Sequence, residues 1–432
     1  MAGSQKGGTE LSDAECGEKT TAHSTLPNST SRENLALLGL DRHKVDRILK
    51  ACRDRDLEVL AELASSEGGL VEDYCRRTAW PLLLGCPQSQ GAWQQDWSTL
   101  ERHRDEEQVE LDVHRSFVYY PENETETSMK VRKQELSNVI TAVLRQHPLL
   151  CYFQGYHDIV QVLLLVLGPD AAGPAAARLS LLRIRDFMLP TLAGAEVHLH
   201  LLPAILHVAD NQLYRHLSGA SKPTPFFALA ATLTLYAHDI EEYGDIARLF
   251  DFLLAGEAAL PVYLFATIVM SRKDELLEID HDEPEMLHSI LSKLPKPLNL
   301  EGLIRSARDL FAQFRPEQLP NRVWWSVSSH SVLKTTRDAR ALATQDLQDG
   351  ERHFAKHAAE IQTRDALRYA KQRLQALAHR YRRPARWTGA AILVAVLALH
   401  SGRSSGPANL NGWLAYAYGL HHSAQQLVAR YW

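Results

Sequence analysis

Leu149-Leu150-Cys151-Tyr152-Phe153-Gln154-Gly155-Tyr156-His157-Asp158 is an apolar and aromatic run interrupted by one uncharged amide and one glycine. A second apolar run, residues 159–168, follows it with helical character. An amide set among aromatic side chains is costly to bury unless something hydrogen-bonds it. A glycine marks a place where backbone turns or is closely approached. Two readings of Gln154 follow. In one it is a satisfied core amide or a helix-start residue. In the other it stands on an aromatic platform and presents its amide to a ligand.

Upstream, residues 108–117 read as a helix with Val109, Leu111 and Val113 among its apolar positions. Asp112 and Arg115 lie one turn apart on it. Taken locally, Arg115 is a solvated side chain in a surface ion pair. Farther upstream Arg76 and Trp80 share one face of a helix that Gly85 ends, which reads as a packing helix with the arginine stacked on the tryptophan. Helical spacing also covers residues 34–80 in short pieces and residues 131–145. Downstream it covers 175–188, 195–210, 226–237, 247–254 and 260–270, with Pro223, Pro225 and Pro261 at starts or breaks. No alternating run persists long enough to argue for a sheet, so the fold is all-α. The His198, His200 and His207 group lacks a carboxylate or cysteine at ligand spacing and reads as ordinary helix-face histidine.

The chain has 432 residues, 45% hydrophobic and 23% charged, enough to bury a large core. A net charge of -5 and no basic stripe with interleaved aromatics argue against nucleic-acid binding. Five scattered cysteines, never in a CxxC pair, read as reduced thiols in the cytosol. Residues 1–32 have almost nothing to bury and are expected to be disordered. Residues 331–386 are charged and rich in Ala, Gln and Arg, and read as a helical stalk or a partly disordered linker. Residues 387–400 then form the most apolar stretch of the chain, without a charge and preceded by Arg382, Arg383 and Arg386. At ~1.5 Å per residue they span only about 21 Å, short of a ~30 Å hydrocarbon core, so length alone suits a buried helix. Separation by a polar stalk and the flanking basic cluster suit a membrane anchor with its basic side in the cytosol, and the half-apolar tail 413–432 would add an interfacial helix. Residues 387–432 are assigned as anchor.

Three stretches in this order resemble the signature motifs of the TBC domain, the catalytic module of Rab GTPase-activating proteins. They are Arg76-x-x-x-Trp80 with Leu83, Leu84 and Gly85, then Asp112-x-x-Arg115, then Tyr152-Phe153-Gln154-Gly155-Tyr156. The likeness continues at residues 226–229, 248–255 and 310–314 and covers about 34–320, so the domain is placed at 33–330. His157-Asp158, residues 103–105 and the late apolar stretch look most like the branch anchored in the endoplasmic reticulum, which acts on Rabs of the early secretory pathway. Two departures stand out: His157 takes a position where many members have Asn, and residues 116–121 are a variant of the usual segment. Residues 320–386 match nothing in the pattern.

The resemblance implies a two-finger mechanism, with Arg115 matching the arginine finger and Gln154 the glutamine finger. Asp112 would hold the guanidinium, and Tyr152, Phe153 and Gly155 would shape the glutamine loop, with Arg76 and Trp80 mainly packing. It implies a GTP-bound Rab as partner and membrane lipid at the C-terminal segment. No cofactor is expected on this chain, because GTP and Mg²⁺ come with the GTPase. The implied location is the cytosolic face of the endoplasmic reticulum membrane, and the implied role is in traffic to the Golgi. The alternative is a catalytically silent, membrane-tethered scaffold that binds a Rab as effector or adaptor.

Overall fold

Polar caps and glycines cut the chain into helices. The computed structural model describes residues 32–87, 96–121, 124–220, 224–280 and 283–401, and every regular element among them is helical. The first five are α1 (Arg32–Asp54), α2 (Leu57–Ser65), α3 (Asp73–Leu83), α4 (Glu106–His114) and α5 (Glu126–Gln146). Asp56 starts α2 by accepting the Glu58 and Val59 N–H groups at 3.2 and 3.1 Å, and Thr125 starts α5 by accepting that of Ser128 at 3.2 Å. Each such cap contributes about 1 kcal/mol by pairing amides the helix leaves orphaned. Gly85, at φ +64°, ends α3 as its position in the sequence suggests.

The middle of the molecule holds α6 (Tyr156–Leu167), α7 (Pro169–Leu182), α8 (Ala193–Leu199), α9 (Leu201–Ala209), α10 (Asn211–Ala220), α11 (Leu229–Leu233) and α12 (Tyr243–Ala255). Then come α13 (Leu260–Ser271), α14 (Lys273–Glu278), α15 (Pro284–Leu291) and α16 (Leu300–Gln313). Helix α13 is apolar all round and buried from Leu260 to Val269, as a helix at the centre of a core must be. It packs on α16, where the Tyr263 and Phe311 rings meet edge to face at 4.9 Å.

Several expected helices are redrawn, the one read over 195–210 dividing into α8 and α9. The one read over 175–188 starts at Pro169 and stops at Leu182, after which a 3₁₀ turn covers Arg185–Met188. The break lets buried Arg183 donate 2.7 Å to each of the Leu253 and Gly256 carbonyls at the end of α12. The one read over 226–237 ends at Leu233, because Leu235 and Tyr236 take φ of +50° and +66°.

The segment expected to be a stalk or linker from residue 331 onward divides instead. Together with α17 (Val323–Ser326) just before it, its first part, with α18 (Val332–Thr335), α19 (Ala339–Ala343) and the start of α20 (Leu347–Ser401), is packed into the body. Trp324, Val332, Leu342, Phe354 and Ile361 are all buried. Buried Arg178 of α7 donates to the Leu84, Leu342 and Gln345 carbonyls at 2.7, 2.8 and 2.8 Å, tying this segment to α3. Asp186 accepts from Ser331 and from His198. Beyond Ile361, residues 362–377 of α20 are exposed.

Residues 387–400 continue α20, and among the described residues no helix is long and apolar enough to cross a membrane. The stretch expected to be disordered, up to residue 31, and the tail from 402 lie outside the described residues.

Candidate functional site

Helix α4 stops at His114, and Arg115 is its C-cap, at φ -95° and ψ 1°. The helix read over 108–117 therefore ends early. Phe117, at φ +60°, turns the chain away, and its N–H donates 2.8 Å to Oε1 of buried Gln161 on α6. A bulky side chain at positive φ is uncommon, and that buried hydrogen bond is what holds it. The Arg115 side chain is 64% exposed, whereas Asp112 is 0% exposed. Arg115 Nη2 donates 2.7 Å to Asp112 Oδ1, which also accepts Gln108 Nε2 at 3.0 Å. Leu111, Val118 and Tyr119, all exposed, surround this arginine in the chain.

The loop before α6 is pinned through its backbone. The Leu150 carbonyl accepts from His103 Nε2 and Arg104 Nη2, each at 3.1 Å. His103 Nδ1 accepts the Asp105 N–H at 3.2 Å, which places the ring proton on Nε2, as the Leu150 contact requires. The Tyr152 N–H donates 2.9 Å to Asp105 Oδ2, and Cys151 N–H donates 2.9 Å to the Met188 carbonyl. Phe153 packs edge to face on Phe187 at 6.5 Å. Gly155 caps α6 at φ +99°, and a Cβ there would stand 2.5 Å from Thr234 Cγ2. Between these fixed points the Gln154 side chain is exposed, outside the core, and makes no hydrogen bond to a described residue.

A chain of polar contacts joins the two segments. The Tyr152 hydroxyl donates 2.9 Å to Asp112 Oδ2 and lies 3.1 Å from His157 Nδ1. His157 Nε2 is 3.3 Å from Asp158 Oδ1, and Asp158 Oδ2 lies 2.9 Å from His238 Nδ1. Burial, reinforced by the Asp112 carboxylate, pushes the Tyr152 phenol far above its usual range, so it stays a donor. Burial also pushes the His157 imidazole down, against the pull of Asp158 and Asp112. Its hydrogen bond to Asp158 pushes His238 up.

Arg76 and Trp80 are not part of this assembly. Both donate to Asp251, wholly buried on α12: Arg76 Nε and Nη2 at 3.1 Å each, and Trp80 Nε1 at 2.8 Å, with the Leu70 N–H adding 2.9 Å. What joins the pair is a shared carboxylate at the α3–α12 contact, in place of the expected stacking. Tyr152, Phe153 and Gly155 do lie in the loop that carries Gln154, and Asp112 does meet Arg115.

Sequence reasoning missed Gln161, Gln108, Asp105 and the Asp158–His238 pair. Gln161 had a signal, being the one amide inside the apolar run after His157. Gln108 stands one helical turn before Asp112. Nothing in the sequence near residue 238 announces its contact with α6. Among the described residues no group of three or more His, Cys, Asp or Glu could hold a metal ion.

The chemistry available here is that of two exposed polar side chains, an arginine held by a buried carboxylate and a glutamine whose loop is pinned through its backbone. Comparison with known proteins agrees with the fold. The Rab-GTPase-TBC domain model matches residues 73–277. TBC1 domain family member 20 of Bos taurus is 36% identical over 280 residues, 64% of this chain and 69% of that one. GTPase-activating protein gyp10 of Schizosaccharomyces pombe is 32% identical over 293 residues, 67% of this chain and 77% of that one. Among solved structures, the Ypt/Rab-GAP domain of Gyp1p superposes with a TM-score of 0.50 at 16% identity, over 60% of this chain and 93% of that one, a likeness of fold. With relatives of this identity and coverage and an all-helical frame of this kind, the chain belongs to the TBC domain family of Rab GTPase-activating proteins.

Proposed function

We propose that this protein accelerates GTP hydrolysis by a Rab of the early secretory pathway, with Arg115 and Gln154 inserted in trans as fingers. Hydrolysis passes through a transition state whose charge is spread over the γ-phosphoryl and bridging oxygens. A guanidinium inserted there neutralises that charge and is worth ~10³–10⁵ in rate. A neutral amide both donates and accepts, so it can orient the attacking water as a lysine or a carboxylate could not. GTP and Mg²⁺ belong to the GTPase, and this chain supplies side chains only. Residues 33–330 form the unit that engages the Rab, and residues 387–432 hold it at the cytosolic face of the endoplasmic reticulum, where it acts in traffic to the Golgi.

The observation that carries the reading is the contrast between front and back. Arg115 is 64% exposed yet fixed at 2.7 Å by a carboxylate that is 0% exposed. A solvated helix-face arginine gains little from such a pair, whereas a group that acts in trans needs its direction set beforehand. The test is single-turnover GTP hydrolysis by a panel of Rabs with the wild-type protein, Arg115→Ala and Gln154→Ala. Acceleration by wild type, with a loss of about two orders of magnitude or more in each variant, is the expected result. A wild type that binds a GTP-loaded Rab without accelerating hydrolysis would instead be the silent scaffold.

A further inference from the structure

As far as residue 377, the last residue of α20 buried against the body is Ile361, and from 362 to 377 each residue of the helix is exposed. A helix of that length with nothing packed on it draws little stability from its own backbone, because most helical stability in water comes from burying an apolar face. This one leaves such a face open. Leu367, Leu374 and Leu377 are exposed by 67%, 66% and 42%, and with Ala370 they recur at the spacing of one stripe. Charge sets the partner. Between 364 and 386 the sequence carries seven arginines and one lysine against a single acidic residue, Asp365, in a chain whose total charge is -5. A second copy of this helix would bring like charge beside like charge along the stripe.

The geometry points to an anionic lipid surface as the occupant of this basic helix, residues 364–386. An acidic protein surface would satisfy the charge as well, but the same helix runs on without interruption into residues 387–400, which are apolar and uncharged. Basic turns directly beside an apolar stretch suit headgroups and acyl chains met together. Pro384 stands at the junction and removes a backbone donor there, so the two parts can take different angles to the surface. The basic part is 23 residues long, about 35 Å as helix. Lying along the surface, it keeps the body close to the membrane where an upright stalk would hold it away. This inference rests on the membrane location proposed for residues 387–432 and adds the class of lipid and the residues that meet it.

The experiment is partition of the full chain onto neutral phosphatidylcholine vesicles and onto vesicles with about a third phosphatidylserine, at low and high salt. A variant carrying Arg364→Glu, Arg368→Glu, Lys371→Glu and Arg373→Glu is run beside it. All four positions are exposed, so the fold and the stimulation of GTP hydrolysis in solution should be unchanged. Wild type should prefer the anionic vesicles by about tenfold or more, with the preference fading as salt shortens the screening length. The variant should partition equally onto both vesicles. Equal partition of wild type onto both would overturn the anionic-lipid assignment and leave the anchor standing. A preference that survives in the variant would overturn the choice of residues. Failure of wild type to bind either vesicle would bring down the anchor reading, and this inference with it.

Discussion

The Tyr152 hydroxyl donates 2.9 Å to Asp112 Oδ2, across 40 residues of sequence, while Oδ1 of the same carboxylate holds Arg115. Two motifs that look separate in the sequence are thereby one object. Asp112 is 0% exposed, and three side chains donate to its carboxylate: Gln108, Arg115 and Tyr152. The glutamine loop and the arginine thus share a single support, and a disturbance of one is felt at the other.

Tyr152→Phe tests that coupling. Loss of the hydroxyl leaves buried Asp112 a donor short, at about 1–3 kcal/mol of stability, and frees the arginine to tilt. Stimulation of GTP hydrolysis should fall by about ten- to a hundredfold, less than for Arg115→Ala. Because Tyr152 acts through Arg115, the double variant should be no worse than Arg115→Ala alone. Additive losses in single-turnover assays would mean that Tyr152 works independently, and the shared support would be abandoned.

How much of this could be read from residues alone depends on the range of the interaction. Helix period exposed α4, α6 and α13, and glycine chemistry marked the end of α3, because each is decided within a few residues. The turn at Phe117 was not legible, since it depends on an amide 44 positions later. The same holds for residues 331–361, which carry a weak apolar stripe and much charge. They pack because Arg178, Arg183 and Asp186, buried in the body, reach out for their carbonyls and hydroxyls. The sequence shows three charges in the body, and only the fold shows that they are spent on carbonyls and a hydroxyl of residues 331–361.

Gly155→Ala should destabilise the glutamine loop for two separable reasons. The residue sits at φ +99°, and its new methyl would approach Thr234 Cγ2 at 2.5 Å. Backbone strain of this kind costs about 1–3 kcal/mol. Trimming the contact with Thr234→Ser should recover only part of the loss, because the strain remains. Chemical denaturation of the two single variants and the pair resolves the terms, and full recovery in the pair would show that sterics alone made glycine necessary.

Asp251→Asn should be costly without touching Arg115 or Gln154. The carboxylate pairs with Arg76 and accepts Trp80 and the Leu70 amide in a dry site. Asparagine keeps the shape but removes the buried one of the two carboxylates that pair with the guanidinium, leaving only the more exposed Asp73 at 2.8 Å, a loss of about 3 kcal/mol. Denaturant midpoints should fall accordingly, while the protein that remains folded stimulates hydrolysis at the wild-type rate. A stable variant with impaired stimulation would move Arg76 and Trp80 from packing to the functional assembly.

The two histidines flanking Asp158 should give opposite pH signatures. Burial lowers the His157 pKa in the folded state below its ordinary value of about 6.5. Near and below that value the unfolded chain therefore binds the proton more readily than the folded one. The contribution of His157 is fully present above about pH 6.5 and is lost as pH falls toward its lower folded value. His238 is raised by its hydrogen bond to Asp158, so its contribution is present below about pH 6.5 and is lost as pH rises through its folded value. His238 is 63% exposed, so its effect should be the weaker and should shrink with salt. His157→Asn retains an amide that can pair with the Tyr152 hydroxyl and cannot titrate. Thermal unfolding between pH 5 and 8 should show a shallower acid-side loss for His157→Asn than for wild type. His238→Ala should flatten the loss on the alkaline side. Superimposable profiles for wild type and His157→Asn would mean that this buried imidazole keeps one protonation state across the range, and the acid sensitivity would have to be sought elsewhere in the chain.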